Sequence, residues 1–367
     1  MKKLNFPGSP FLVVIFLQLL YSCLPEGDYK TAVNSEPRNI NGDWEISAPA
    51  SEGFNKQLLQ DVYELMFAED EFITSRSLLI IKNGKLVSES YFRDMNDIHL
   101  KNNIQGITKG VTSILTGFAY DKGLIEPSSK LYEYIPGYFD GNMDKREITI
   151  SHVLTMLTGL EWKNDLHTVD LTNIYRFPSS LRVVLTKPFK AVSGTEFHYN
   201  HGTPQLAMGV IREVFNVEET DTLVKSLFDP LGIEDYVWEK HTDGLHYGGF
   251  GLHLTPRDLA RIGQFCLQKG SWNGRQLVSE EWIDLSTRPV LDENMTGSSL
   301  NYGYYWWIHP ENNAWFGMGD GGQYLYLVPE EELVIVHTAN PSTGSGYEGI
   351  TLGDFLQVVD GILAALE

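Results

Sequence analysis

Two blocks of strand-like sequence, one near each end of the chain, constrain this fold more than any other feature. Residues 77–92 read as two extended runs joined by Asn83-Gly84. That dipeptide suits a two-residue hairpin, whose central positions both need positive φ. Strand-like runs return at residues 303–308, 323–328 and 333–338. Between the two blocks, from about 125 to 290, the apolar spacing is mostly helical, with long connections. Strands at both ends around a helical middle predict a mixed α/β (α+β) fold. Its mainly antiparallel sheet is built from both termini and flanked by helices, with a mostly helical region inserted.

The flanking helices are visible too. Leu58, Leu59, Val62, Leu65 and Met66 share one face of a helix over 54–67, and a last helix runs from about 352 to 366. From Thr108, the residues Val111, Ile114, Leu115, Phe118 and Ala119 recur at helical spacing, and Gly123 fits the C-terminal stop.

The start of the chain reads as an address. Lys2 and Lys3 precede an apolar run over residues 11–20, then Leu20-Tyr21-Ser22-Cys23. A basic start, a short apolar core and a small residue before the cut describe a secretory signal. The apolar run is too short to span a bilayer. Cysteine after Leu-x-Ser resembles a bacterial lipoprotein box. Residues 1–22 are therefore expected to be a lipoprotein signal peptide, Cys23 the lipidated residue, residues 23–44 a polar tether and residues 45–367 the folded domain. The expected location is the bacterial cell envelope, periplasmic or cell-surface side, with the membrane reached only through the lipid on Cys23. The only other cysteine, Cys266, lies within a helical pattern and reads as a buried core thiol.

A net charge of −20 argues against a nucleic-acid partner. About 340 residues after the signal can bury a large core without disulfides. His241, His246 and His253 match no common zinc spacing, so no metal is expected.

Four segments in order, 148–162, 227–233, 248–263 and 272–282, resemble the serine β-lactamase and penicillin-binding-protein-like hydrolases, in particular their class C and esterase branch. Ile104-Gln105-Gly106-Ile107-Thr108-Lys109-Gly110 resembles that family's Ser-x-x-Lys motif with glycine in the serine's place. The resemblance implies that Lys109 lies one helical turn from the nucleophile position and handles its proton. It implies that Tyr199, in Gly194-Thr-Glu-Phe-His-Tyr-Asn-His201, acts with the lysine. His201 falls where asparagine is usual. Gly317-Met318-Gly319 resembles the Lys-Thr-Gly strand at the site edge, without the lysine that grips a penicillin-like carboxylate. By position, the oxyanion hole would use the amides of Gly106 and Asp320. No cofactor is implied.

Loss of the nucleophile costs a serine hydrolase roughly a millionfold in turnover, about 8 kcal/mol of barrier. The glycine is open to a blander reading, a change confined to one isolate or made to trap substrate. Gly110, where the family often has another serine, favours natural loss. The first expectation is an exported, lipid-anchored hydrolase-like protein, impaired in acyl-enzyme chemistry, that binds a peptide, ester or cell-wall-type ligand. The alternative is an active esterase or amidase that uses a substitute nucleophile, with Thr108 and Ser113 the nearest hydroxyls, or a water activated by Lys109 and Tyr199. The identity of the ligand and the oligomeric state are not written in the sequence.

Overall fold

The computed structural model describes residues 35–163, 169–217, 220–340 and 349–366. Residues 1–34, with the expected signal peptide and Cys23, lie outside the described residues.

The chain opens with helix α1 (Lys56–Ala68), capped by the Asn55 side chain, and then the hairpin β1 (Ser75–Lys82) and β2 (Lys85–Tyr91). Asn83 and Gly84 both take positive φ at its turn, as the dipeptide predicts. After β3 (Asn102–Asn103), helix α2 (Thr108–Asp121) enters the interior. Helices α3 (Ile150–Leu154), α4 (Ser180–Leu185), α5 (Thr203–Phe215) and α6 (Asp221–Leu231) follow. Strands β4 (Val237–Trp238) and β5 (Leu252–Leu254) form a small sheet with β3. Helix α7 (Pro256–Leu267), the two-stranded β6 (Ser271–Trp272) and β7 (Arg275–Gln276), and α8 (Glu280–Thr287) complete the middle.

Strands β8 (Asn301–Tyr302), β9 (Trp307–His309), β10 (Ala314–Gly319), β11 (Gln323–Val328) and β12 (Leu333–Ala339) then return to the main sheet, and α9 (Leu352–Ala364) ends the described chain. The main sheet has seven strands in the order β2-β1-β12-β11-β10-β9-β8. Every pairing in it is antiparallel. The N-terminal hairpin joins the C-terminal strands through β1 and β12, so the sheet is built from both termini as expected.

One expected strand is mostly a bend. Of residues 303–308 only Trp307 and Ile308 are extended, in β9, and residues 303–306 turn the chain between β8 and β9, where Tyr305 takes a φ of 70°. The run Tyr304-Tyr305-Trp306-Trp307 is aromatic enough to read as one strand, but such composition does not register a bend.

The two faces of the sheet are covered by different helices. Leu325 and Val334 meet Gly263 of α7. Gly317, the cross-strand partner of Leu325, meets Ile107 just ahead of α2. Tyr324 and Tyr326 point the other way, and Tyr324 stacks on Phe355 of α9 at 4.1 Å. There α9 packs against α1, with Gly361 against Val62. Helix α2 is buried on nearly every side, from Thr108 to Gly117, as a helix between layers must be. Cys266 is a free thiol, buried, with its pKa pushed up by burial.

The described part of the expected tether lies on the body. The Ser35 carbonyl accepts from the Ser88 hydroxyl at 2.9 Å, and Trp44 is buried. A polar, turn-rich composition carries no sign of such long-range partners.

Candidate active site

The turn before α2 is a short 3-10 segment, Gln105–Ile107. Gln105 takes a φ of 49°, which is costly for a non-glycine residue, and the Asn103 side chain accepts from its amide at 2.9 Å. The turn delivers Gly106 to the end of β10. A Cβ on Gly106 would lie 2.3 Å from the Met318 carbonyl oxygen and 2.8 Å from the Tyr199 hydroxyl. One on Gly319 would lie 2.4 Å from the Ile104 carbonyl oxygen. Strand and turn therefore touch backbone to backbone, with no space left for a side chain at either glycine. Beyond Phe316, β10 has no strand partner on its β9 side among the described residues, so residues 317–319 form a sheet edge beside Gly106.

Lys109 is the second residue of α2, three residues beyond Gly106, and is completely buried. Its Nζ contacts His201 Nδ1 at 3.0 Å, donates to the Gly249 carbonyl at 3.1 Å and sits 4.5 Å from the centre of the Tyr199 ring. The lysine thus faces the flat of the ring. Burial lowers its pKa to about 7, against the pull of the Asp320 carboxylate.

His201 is buried at the entrance to α5, held by the chain that follows Tyr199. Its Nε2 lies 3.7 Å from Asp320 Oδ2. Burial, and then the neighbouring Lys109, push its pKa down. A neutral ring that accepts at Nδ1 from an ammonium carries its proton at Nε2, toward Asp320. The His201 partner in turn lowers the pKa of the Asp320 carboxyl, whose side chain is 68% exposed. Lys109, His201 and Asp320 therefore run from the core to the surface.

Tyr199 is half-buried beside Trp307, with ring centres 5.3 Å apart. Burial and Asp320 both raise its pKa, so the phenol keeps its proton at neutral pH. The Thr108 and Ser113 hydroxyls are enclosed, with no hydrogen-bond partner among the described residues.

The fold brings Gly106, Lys109, Tyr199, His201, Gly317, Gly319 and Asp320 into one place. Sequence reasoning missed the contact of Lys109 with the Gly249 carbonyl. Gly248-Gly249 stood inside a matched segment, but nothing in it signalled that role. His241, His246 and His253 are scattered: His241 contacts the Phe177 carbonyl, His246 contacts Thr220 and His253 contacts Glu239. No cluster able to hold a metal occurs among the described residues.

A mainly antiparallel sheet with a buried Lys-bearing helix at its edge defines a class, and sequence comparison agrees. A family model for Beta-lactamase matches residues 67–352, and the chain belongs to that family. A 6-aminohexanoate-dimer hydrolase of Paenarthrobacter ureafaciens is 24% identical over 313 residues, 77% of either chain. A family VIII carboxylesterase superposes with a TM-score of 0.70 at 15% identity, covering 87% of this chain and 99% of its own. A class C β-lactamase does so with a TM-score of 0.66 at 15% identity, covering 90% and 99%.

Proposed function

We propose that this β-lactamase-family chain binds a peptide, ester or cell-wall-type ligand without forming an acyl-enzyme, at a cell envelope to which a lipid on Cys23 attaches it. The observation that carries this reading is the contact at Gly106, where the Met318 carbonyl stands 2.3 Å from any Cβ. Gly106 takes the nucleophile's place in the motif. The neighbouring backbone has closed on it, so the loss reaches beyond a missing hydroxyl. The ligand lies along the free edge 317–319, and the amides of Gly106 and Asp320 receive its carbonyl oxygen.

A second reading is favoured by Lys109 itself. A buried amine whose pKa falls to about 7 is suited to general-base work, here on a water molecule rather than a serine. Esters and linear amides, as the relatives' names suggest, would be its substrates.

Covalent trapping separates the readings. Wild-type protein is treated with a fluorophosphonate and a penicillin probe and weighed intact, alongside turnover of p-nitrophenyl acetate and the 6-aminohexanoate dimer. The expected result is no added mass and no turnover. Added mass at any residue overturns the non-acylating reading. Turnover without added mass, lost in Lys109→Met, establishes the water-based hydrolase instead.

A further inference from the structure

A cavity lies at the opposite end of the main sheet from Gly319. Lys82, Leu333 and Val328 pair at that end, whereas Ser75, Ala339 and Gln323 pair at the end of the candidate active site. The seven residues of β12 span about 20 Å between them. The cavity measures ≈ 540 Å³, within the roughly 300–1,000 Å³ of small-molecule sites. Trp44, Gly84, Gln264, Gln268, Trp272 and Asn273 are among the residues that line it. We propose that it is a binding site for a short neutral saccharide, independent of the chemistry at Gly106.

Two buried side chains in its wall each carry one polar atom without a hydrogen-bond partner among the described residues. Gln264, on α7, is 5% exposed, and its Oε1 is enclosed without a hydrogen bond among the described residues. Its Nε2 is directed to the hairpin turn, 3.7 Å from where a Cβ on Gly84 would stand. Trp44 is 8% exposed, and its indole N–H is likewise unpartnered. A buried polar atom left without a partner has lost its water and gained no bond in return. Gln264 sits between Gly263 and Phe265, both buried, where a leucine would pack at no such cost. A glutamine held there marks a place where something polar arrives.

Most of the charges around the cavity are already engaged, which narrows the class of ligand. Arg261 pairs with Asp258 at 2.5 Å, Asp43 with Arg257 at 2.6 Å, and Glu45 lies 3.8 Å from Lys85. An anion would find no free counter-charge in these pairs, and the one loosely held carboxylate, Glu45, is 73% exposed and solvated. What remains are the amides of Gln264, Gln268 and Asn273, which donate and accept, and the partly exposed ring of Trp272. Sugar hydroxyls also donate and accept, and the C–H face of a pyranose packs on an indole as other apolar surfaces do. A neutral saccharide satisfies both the amides and the ring.

The test uses the full chain in detergent with cellobiose, maltose and chitobiose as probes, read by saturation-transfer NMR and by tryptophan fluorescence titration. N-acetylglycine amide and phosphate serve as non-sugar controls. At least one disaccharide is expected to bind, with Kd raised at least tenfold in Trp272→Ala and in Gln264→Leu. Gln264→Leu is also expected to raise Tm, because it removes the unpartnered amide; this keeps loss of binding separate from loss of fold. The proposal is overturned if no disaccharide binds, if binding is unchanged in both variants, or if a control binds more tightly than every sugar.

Discussion

At the scale of single residues, two positions decide the chemistry. Gly106→Ala is the smallest test of the closed contact, because its Cβ would lie 2.3 Å from a backbone oxygen that is held in a sheet. Overpacking of this kind costs ~1–3 kcal/mol, and urea denaturation of the variant should show a loss in that range. Stability equal to wild type would mean that β10 withdraws freely from the turn. Lys109 gives a pH prediction. Its folded pKa is about 7, against an ordinary 10.5 for lysine, so between these values the unfolded state binds more protons. Stability contributed through this group therefore rises with pH from about 7 toward 10.5. Below pH 7 the lysine is charged in both states, and the full cost of burying the charge is present. Lys109→Met should accordingly gain most over wild type below pH 7, with the gain shrinking as pH rises. His201, Asp320 and the Tyr199 ring face the same amine, so the comparison is repeated in a His201→Gln background, where the slope should keep its sign. A gain that does not vary between pH 6 and 9.5 would refute the assignment.

At the scale of elements, α2 shows what the sequence disclosed and what it withheld. Its apolar period, its lysine and its position after Gly106 were legible, because helical spacing and a short motif are local properties. The hairpin at Asn83-Gly84 was legible for the same reason. The burial of Lys109 against His201 and Gly249 was not, since those contacts cross 92 and 140 residues of chain. The bend at Tyr305 was hidden in a run of aromatic residues, and the short strands at 102–103 and 237–238 are too brief to carry a period. The glycines of α2 also have a use that no motif discloses. A Cβ on Gly110 would come within 2.6 Å of the Trp306 ring, and one on Gly117 within 2.4 Å of the Trp282 ring. The helix thereby receives one indole from the turn between β8 and β9 and another from α8. Gly110→Ala gains ~1 kcal/mol of helix propensity and loses ~1–3 by overpacking against Trp306. A net loss of about 1 kcal/mol is expected by chemical denaturation, together with a change in tryptophan emission. A stabilised Gly110→Ala with unaltered emission would remove the packing account.

At the scale of the whole molecule, one buried ion pair joins the beginning of the described chain to the sheet and to the helical middle. Arg257, near the start of α7, is 3% exposed, and Glu89 of β2 is 1% exposed. The guanidinium meets Glu89 through Nη2 at 2.5 Å and Nε at 3.1 Å, and it reaches Asp43 at 2.6 Å and the Arg38 carbonyl at 2.5 Å. Glu89 also accepts from the Tyr91 hydroxyl at 2.8 Å and from the Arg38 amide at 2.7 Å. Every oxygen of the carboxylate is therefore occupied, which is the condition under which a buried ion pair is tolerated. Removing the cation alone leaves Glu89 charged, enclosed and short of its strongest donor, a situation that costs ~3–5 kcal/mol. It also releases Asp43 and the Arg38 carbonyl, two of the points that hold residues 35–44 on the body. Arg257→Met should therefore lose stability in that range and become sensitive to brief proteolysis between Ser35 and Trp44, while the domain beyond Phe54 stays resistant. The double variant Arg257→Met with Glu89→Gln removes the stranded charge but not the lost anchors. It should recover most of the stability and little of the protease resistance. If instead both properties return together, the ion pair acts only through folding energy, and residues 35–44 are held by their other contacts, buried Trp44 and the Ser35–Ser88 hydrogen bond among them.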